Sequence, residues 1–135
     1  MEIFSDGGAR GNPGPAACAF VVFEDKQVLH KEAKYLGRAT NNQAEYNGVL
    51  LALNWLVTSS VKYPASGIEF FVDSELVAKQ IMGIYRVKDK SLKELYLKVS
   101  EILKKIPVTV SFRNIPRTKN KLADFLVNKT LDEIS

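Results

Sequence analysis

The sequence contains a single cysteine, Cys18, among 135 residues. No internal disulfide can form, and no thiolate metal site can be assembled. That usage fits a reducing, cytoplasmic setting. Histidine is equally scarce: His30 stands alone, with no second ligand at metal-binding spacing. No apolar run approaches the ~20 residues needed to span a bilayer, so no membrane segment is expected. The N-terminus leads straight into strand-like sequence, and no signal or transit peptide is read there. Repeats, low-complexity tracts and linkers are missing too. The remaining balance, 46% apolar and 25% charged residues, is that of one globular domain spanning residues 1–135. A monomer is the default expectation. Net charge is +4. A carboxylate cluster that spends several acids in one place would leave the remaining surface more basic, as suits a polyanion partner.

Hydrophobic patterning orders the chain as strand, strand, strand, helix, strand, helix, helix, strand, helix. Met1–Ser5 reads as a strand ending at Asp6. Residues 7–15, with four glycines and two prolines, read as a loop unable to continue a strand. It lacks the Gly-Lys-Ser/Thr ending of a Walker phosphate loop. Residues 17–36 read as a hairpin turning at Glu24-Asp25-Lys26. His30 is expected at its surface or edge, and Cys18 in the core. Thr40 with Gln43 forms a capping box, opening a helix to about Val57. Ile68–Val72 reads as a buried strand, followed by a short helix to about Met82. Gly83–Lys90 is a connector, Ser91–Ile106 an amphipathic helix, Val108–Ile115 the last strand, and the basic loop Pro116–Lys121 leads into a final helix.

Acidic residues fall at telling places. Asp73 ends the apolar strand Ile68–Val72, and ligands collect at the carboxyl ends of strands in open α/β sheets. Its plain alternative is a helix cap. Glu45 shares a helical stripe with Val49, Ala52 and Leu56. A charge there is costly unless paired or metal-bound; the alternative is dipole complementation at the helix start. Asp124, in the first turn of the last helix, carries the same two readings. With the first and fourth strands parallel and adjacent, about 4.8 Å apart, Asp6 and Asp73 become neighbours. Two helix N-termini reaching that edge would add Glu45 and Asp124. Such an all-oxygen set favours Mg²⁺ or Mn²⁺ over zinc or copper. Carboxylate clusters can hold two ions and clamp an in-line displacement at phosphorus.

The motifs SDGGARGNPGP, TNNQAEYNG, FVDSELV and KLADFLVNK, in that order across nearly the whole chain, resemble those of type 1 ribonucleases H. The resemblance implies an α/β, ribonuclease H-like fold: a five-stranded mixed sheet in the order 3-2-1-4-5, strand 2 antiparallel, flanked by helices. It implies that Asp6, Glu45, Asp73 and Asp124 are the catalytic, metal-binding acids, holding two Mg²⁺ or Mn²⁺ ions. The implied activity is endonucleolytic hydrolysis of the RNA strand of an RNA–DNA hybrid, leaving 5′-phosphate and 3′-hydroxyl ends. Asn12, Asn41 and Asn42 match minor-groove contacts. Gly7 and Gly8 belong to the loop whose backbone would approach RNA 2′-hydroxyls. Thr40 matches a position near a DNA-phosphate pocket, and Glu75 replaces a common Gln.

Two departures stand out. The basic handle of many bacterial relatives is missing, with only Gly83–Lys90 in its place; hybrid binding would then be weaker, or would lean on Arg86, Lys88, Arg113 and Arg117. The loop histidine of many relatives is also absent, and Arg117 or Lys119 stands where it would act. Two other readings are a broader nuclease that also cleaves double-stranded RNA, and an inactive hybrid-binding module.

Overall fold

The computed structural model describes residues 1–135. Five strands form one sheet in the order β3-β2-β1-β4-β5, as expected. The central strand β1 (Glu2–Ala9) runs antiparallel to β2 (Gly14–Glu24) and parallel to β4 (Ile68–Val72). Beyond them, β3 (Gln27–Ala39) pairs antiparallel with β2, and β5 (Val110–Asn114) pairs parallel with β4. Alternation along β1 and β2 divides the molecule into layers. Ile3, Phe20 and Val22 face a core shared with α1 (Asn41–Thr58) and α3 (Lys90–Leu103). Ala17 and Ala19, of opposite parity, pack against Val127 and Leu131 of α4 (Lys121–Ile134).

Helix α1 is the pillar of the larger core. Thr40 caps it: Oγ1 accepts the Gln43 N–H at 3.1 Å, and Gln43 Oε1 accepts the Thr40 N–H at 2.9 Å. Val49, Ala52, Leu53 and Leu56 are fully buried, each large apolar side chain contributing on the order of 1.5–3 kcal/mol. Gly48 fits the requirement of close packing. A Cβ there would lie 2.7 Å from the Asp6 carbonyl oxygen, so α1 rests directly on β1 at the level of Asp6. A buried hydrogen bond at 2.7 Å from Tyr46 Oη to Gln80 Oε1 ties α1 to α2 (Glu75–Ile81).

Several boundaries differ from the sequence reading. The glycine-rich stretch is not all loop. Gly7, Gly8 and Ala9 extend β1, opposite Cys18, Ala17 and Ala16, and Gly14 opens β2. The pairing partner, not local propensity, decides here; only residues 10–13 turn. Helix α3 stops at Leu103, and Lys105 and Ile106 N–H groups donate to Ile102 and Leu103 in a tightened last turn. Pro107 disfavours the helical conformation in the residue before it, so the helix unwinds early. β5 is shorter than expected, and the basic loop contains one 3₁₀ turn, Arg117–Lys119. His30 is half-buried on β3, stacked on Trp55 at 4.8 Å and bonded to Glu32 at 3.1 Å. Cys18 is fully buried, and burial pushes its thiol up to about 12. No helix is long and apolar enough to cross a membrane.

Candidate active site

The parallel pairing of β1 with β4 ends at Ser5 opposite Val72. Asp6 and Asp73 each follow that last pair, so both carboxylates project where the two strands part. Asp6 is therefore not the end of its strand, as the sequence suggested. It lies mid-strand, paired with Ala19 on one side and released from β4 on the other.

Gly7 brings the third acid. A Cβ there would lie 2.1 Å from the Ala44 carbonyl oxygen, so only glycine lets the first turns of α1 sit against the strand. The Gly7 N–H donates to Glu45 Oε1 at 3.3 Å. One carboxylate oxygen each from Asp6, Glu45 and Asp73 lie within 4.8 Å of one another. Asp6 is 5% and Glu45 6% exposed. Glu45 Oε2 is buried with no protein partner.

Like charges so placed must protonate or acquire a cation. Burial pushes Asp6 from 3.8 up to about 6, with the charges of Asp73 and Asp124 adding to it and a hydrogen bond to Glu45 opposing. Burial, then the hydrogen bond and charge of Asp6, hold Glu45 well above the ordinary carboxylate range. Without a cation, burial and the neighbouring charges shift both carboxyls toward their protonated forms.

Asp124 reaches the same cleft from the first turn of α4. It is not among the three that meet closely. Its Oδ1 accepts from Arg117 Nη2 at 3.1 Å, a pairing that holds the guanidinium firmly charged. The cleft, about 430 Å³, is also lined by Gly7, Gly8, Arg10, Asn41, Asn42 and Ser74.

The remaining expected residues divide. Asn41 Oδ1 accepts the Ala9 N–H at 2.8 Å, and Asn12 Oδ1 accepts the Asn41 N–H at 3.0 Å. These two asparagines pin the β1–β2 turn to the start of α1. Asn12, Thr40 and Glu75 lie outside the cleft lining. Thr40 is engaged in capping, and Glu75 binds Lys79 and Tyr85.

Asn120 was missed by the sequence reading. It is 1% exposed, and its Nδ2 donates to the Ser5 carbonyl at 2.7 Å and to Asp73 Oδ2 at 3.1 Å. It orients one acid and ties α4 to the sheet. An Asn ahead of a helix reads as an N-cap, yet this side chain makes no capping bond. Nothing local could have revealed its partner 47 residues away.

Comparison with known proteins agrees with this architecture. A family model described as "Reverse transcriptase-like" matches residues 4–130. Ribonuclease HI of Halobacterium salinarum is 36% identical over 134 residues, covering 98% of this chain and 65% of the relative. A bifunctional protein of Mycobacterium tuberculosis is also 36% identical over 134 residues, covering 98% of this chain and 35% of that protein. The chain thus spans about a third of the mycobacterial relative. Among solved structures, LC11-RNase H1 in complex with RNA/DNA hybrid superposes with a TM-score of 0.90 at 38% identity, covering 98% and 97% of the two chains. RNase H1 of the halophilic archaeon H. salinarum superposes with a TM-score of 0.89 at 36% identity, with the same coverage. On its motifs, its sheet order and these likenesses, the chain belongs to the type 1 ribonuclease H family.

Proposed function

We propose that the protein is a metal-dependent endonuclease that hydrolyses the RNA strand of RNA–DNA hybrids, leaving 5′-phosphate and 3′-hydroxyl ends. The observation that carries this reading is the meeting of Asp6, Glu45 and Asp73 within 4.8 Å, with a buried, partnerless oxygen on Glu45. That oxygen is costly to bury and gains a partner only from a cation or a proton. The donor set is all oxygen, which suits Mg²⁺ or Mn²⁺, two ions per site. Asp6, Glu45 and Asp73 would hold them, joined by Asp124 once its carboxylate leaves Arg117. When bound, such ions supply the charge that favours attack of water on phosphorus and departure of the leaving oxygen.

The chain's own residues do the rest. The backbone of Gly7 and Gly8, bare of side chains at the cleft, admits the ribose edge of the RNA strand. By the family resemblance, Asn12, Asn41 and Asn42 would contact the minor groove, and Thr40 would stand near the pocket for a DNA-strand phosphate. Arg117, freed from Asp124, contacts a phosphate oxygen as the strand enters. The hybrid complex of LC11-RNase H1 supports the choice of substrate. A pure binding module would not need buried acids that destabilise it.

The test is cleavage of labelled RNA–DNA hybrid, RNA duplex and DNA duplex, each with and without Mg²⁺ or Mn²⁺. Metal-dependent cutting of the hybrid's RNA strand is expected. No cutting of hybrid in either metal would overturn the reading, and cutting of RNA duplex would widen the substrate range.

A further inference from the structure

Two cavities share the Arg117–Lys119 turn. Arg117 lines the catalytic cleft. Thr118 and Lys119 line a second cavity of about 240 Å³, where the start of α4 meets the sheet. One wall of it is aromatic. Phe4 and Phe23 line it with their rings edge to face at 5.6 Å, and Phe71 stacks on Phe4 at 4.6 Å. Phe4 follows Ile3 on β1, so it faces away from the larger core and toward the side of the sheet that α4 covers.

The start of α4 leaves polar atoms unpaired in that cavity. Helices α1, α2 and α3 are capped by the side chains of Thr40, Ser74 and Asp89. Asn120 makes no such bond, because its Nδ2 donates instead to the Ser5 carbonyl and to Asp73 Oδ2. Two acceptors identify that end of the amide as the NH₂ group, so the other end is the oxygen. That oxygen, Oδ1, is buried without a donor. In an ordinary cap it would accept the Ala123 N–H. Here the Ala123 N–H has no acceptor either, nor do those of Lys121 and Leu122, and Ala123 is fully buried. Asn120, Leu122 and Ala123 all line the cavity. It therefore holds a buried acceptor lacking a donor and a buried donor lacking an acceptor, a combination folded proteins rarely leave unmet.

A flat ring with an N–H beside a C=O meets all three features. Its N–H donates to Asn120 Oδ1, its C=O accepts from the helix start, and its face packs on the phenylalanines. Uracil and thymine carry that lactam edge; cytosine and adenine do not. The cavity, about 240 Å³, falls below the ~300–1,000 Å³ of sites for drug-sized ligands, which suits one small ring. Lys119 and Lys121, both exposed, also line it and supply positive charge for a phosphate. We infer that this cavity is a second binding site, for a uracil or thymine nucleotide whose base bridges Asn120 Oδ1 and the free N–H groups of α4. It is separate from the catalytic cleft and stands independently of the hybrid-cleavage reading. A base bound there shares one amide with Asp73, through Asn120.

The experiment titrates the full chain, in EDTA, with uridine 5′-monophosphate and follows amide ¹H–¹⁵N NMR shifts. Saturable shifts are expected at the Leu122 and Ala123 amides and at the Asn120 side-chain amide. The N3-methyl analogue keeps the ring, the sugar and the phosphate but loses the donor. It should bind at least about fivefold more weakly, as when a buried acceptor is left unpaired. Leu122→Trp enlarges an exposed side chain at the cavity and should remove the shifts while the rest of the spectrum stays as in the wild type. Should that variant fail to fold, the methylated nucleotide still decides. Equal binding of the two nucleotides would overturn the proposal, since the ring would then merely rest on the apolar wall. Shifts centred on Gly7, Gly8 and Asn41 would overturn it too, because the phosphate would then occupy the catalytic cleft, and so would the absence of any shift.

Discussion

Replacing Asp6 with asparagine should make the metal-free protein more stable while destroying its site. Asp6 is nearly inaccessible, and its carboxyl is raised from 3.8 to about 6. A carboxyl that holds its proton more tightly folded than unfolded loses stability as pH rises. The folded state binds more protons between the two values, so stability falls across pH ~4 to ~6 and the full loss persists above. Two units at about 1.4 kcal/mol each amount to about 3 kcal/mol. For a chain of this size, 1 kcal/mol moves Tm by about 3–4 °C. The neutral amide removes the charge but must satisfy its own N–H donors, so about half to all of the gain should survive, or about 5–10 °C.

The assay is thermal unfolding in EDTA at pH ~7.5 and again at pH ~4, where the wild-type carboxyl is largely protonated and the difference should shrink. Added Mg²⁺ should raise the wild-type Tm and leave Asp6→Asn unmoved, since a ligand that binds only the folded state stabilises it. An Asp6→Asn protein that melts at or below the wild type in EDTA at pH ~7.5 would refute the claim that these acids sit together in mutual repulsion.

Other outcomes follow from the same geometry. Asp73→Asn should abolish hybrid cleavage while gel-shift measurements in Ca²⁺ show binding retained; cutting at the normal rate would remove Asp73 from the site. Gly48→Ala gains about 1 kcal/mol of helix propensity but puts a Cβ 2.7 Å from the Asp6 carbonyl. The net effect in denaturant titration should be a loss of about 1–2 kcal/mol, and a gain would show that α1 can lift off the strand freely. Asn120→Ala removes both donors from Ser5 and Asp73. It should cost about 1–3 kcal/mol and weaken Mn²⁺ binding by calorimetry; unchanged metal affinity would make Asn120 a structural tie only.

The element order and the meeting of distant acids were legible from pattern, while the full sheet order came from the family resemblance. Ile68–Val72 announces a buried parallel strand, and its terminal Asp73 needs only a parallel neighbour to place Asp6 beside it. Glu45 was visible as a charge in the stripe of Val49, Ala52 and Leu56, all three fully buried. What escaped was set by partners remote in sequence. Gly7 and Gly8 read as loop because propensity knows nothing of Cys18 and Ala17 opposite them. Asn120 passed as one more residue of the basic loop because its partners, Ser5 and Asp73, are remote in sequence. The pairing of Asp124 with Arg117 depends on a 3₁₀ turn that no hydrophobic period announces. The tie from Tyr85 to Glu75 depends on the chain reversal at Gly83.

The most direct test of the account is a crystal soaked in Mn²⁺ and measured at the manganese absorption edge. Anomalous density should appear between the carboxylates of Asp6, Glu45 and Asp73, and the Asp124 side chain should turn from Arg117 toward it. Saturating Mn²⁺ that leaves this cleft without anomalous density, or that binds only elsewhere on the surface, would contradict it.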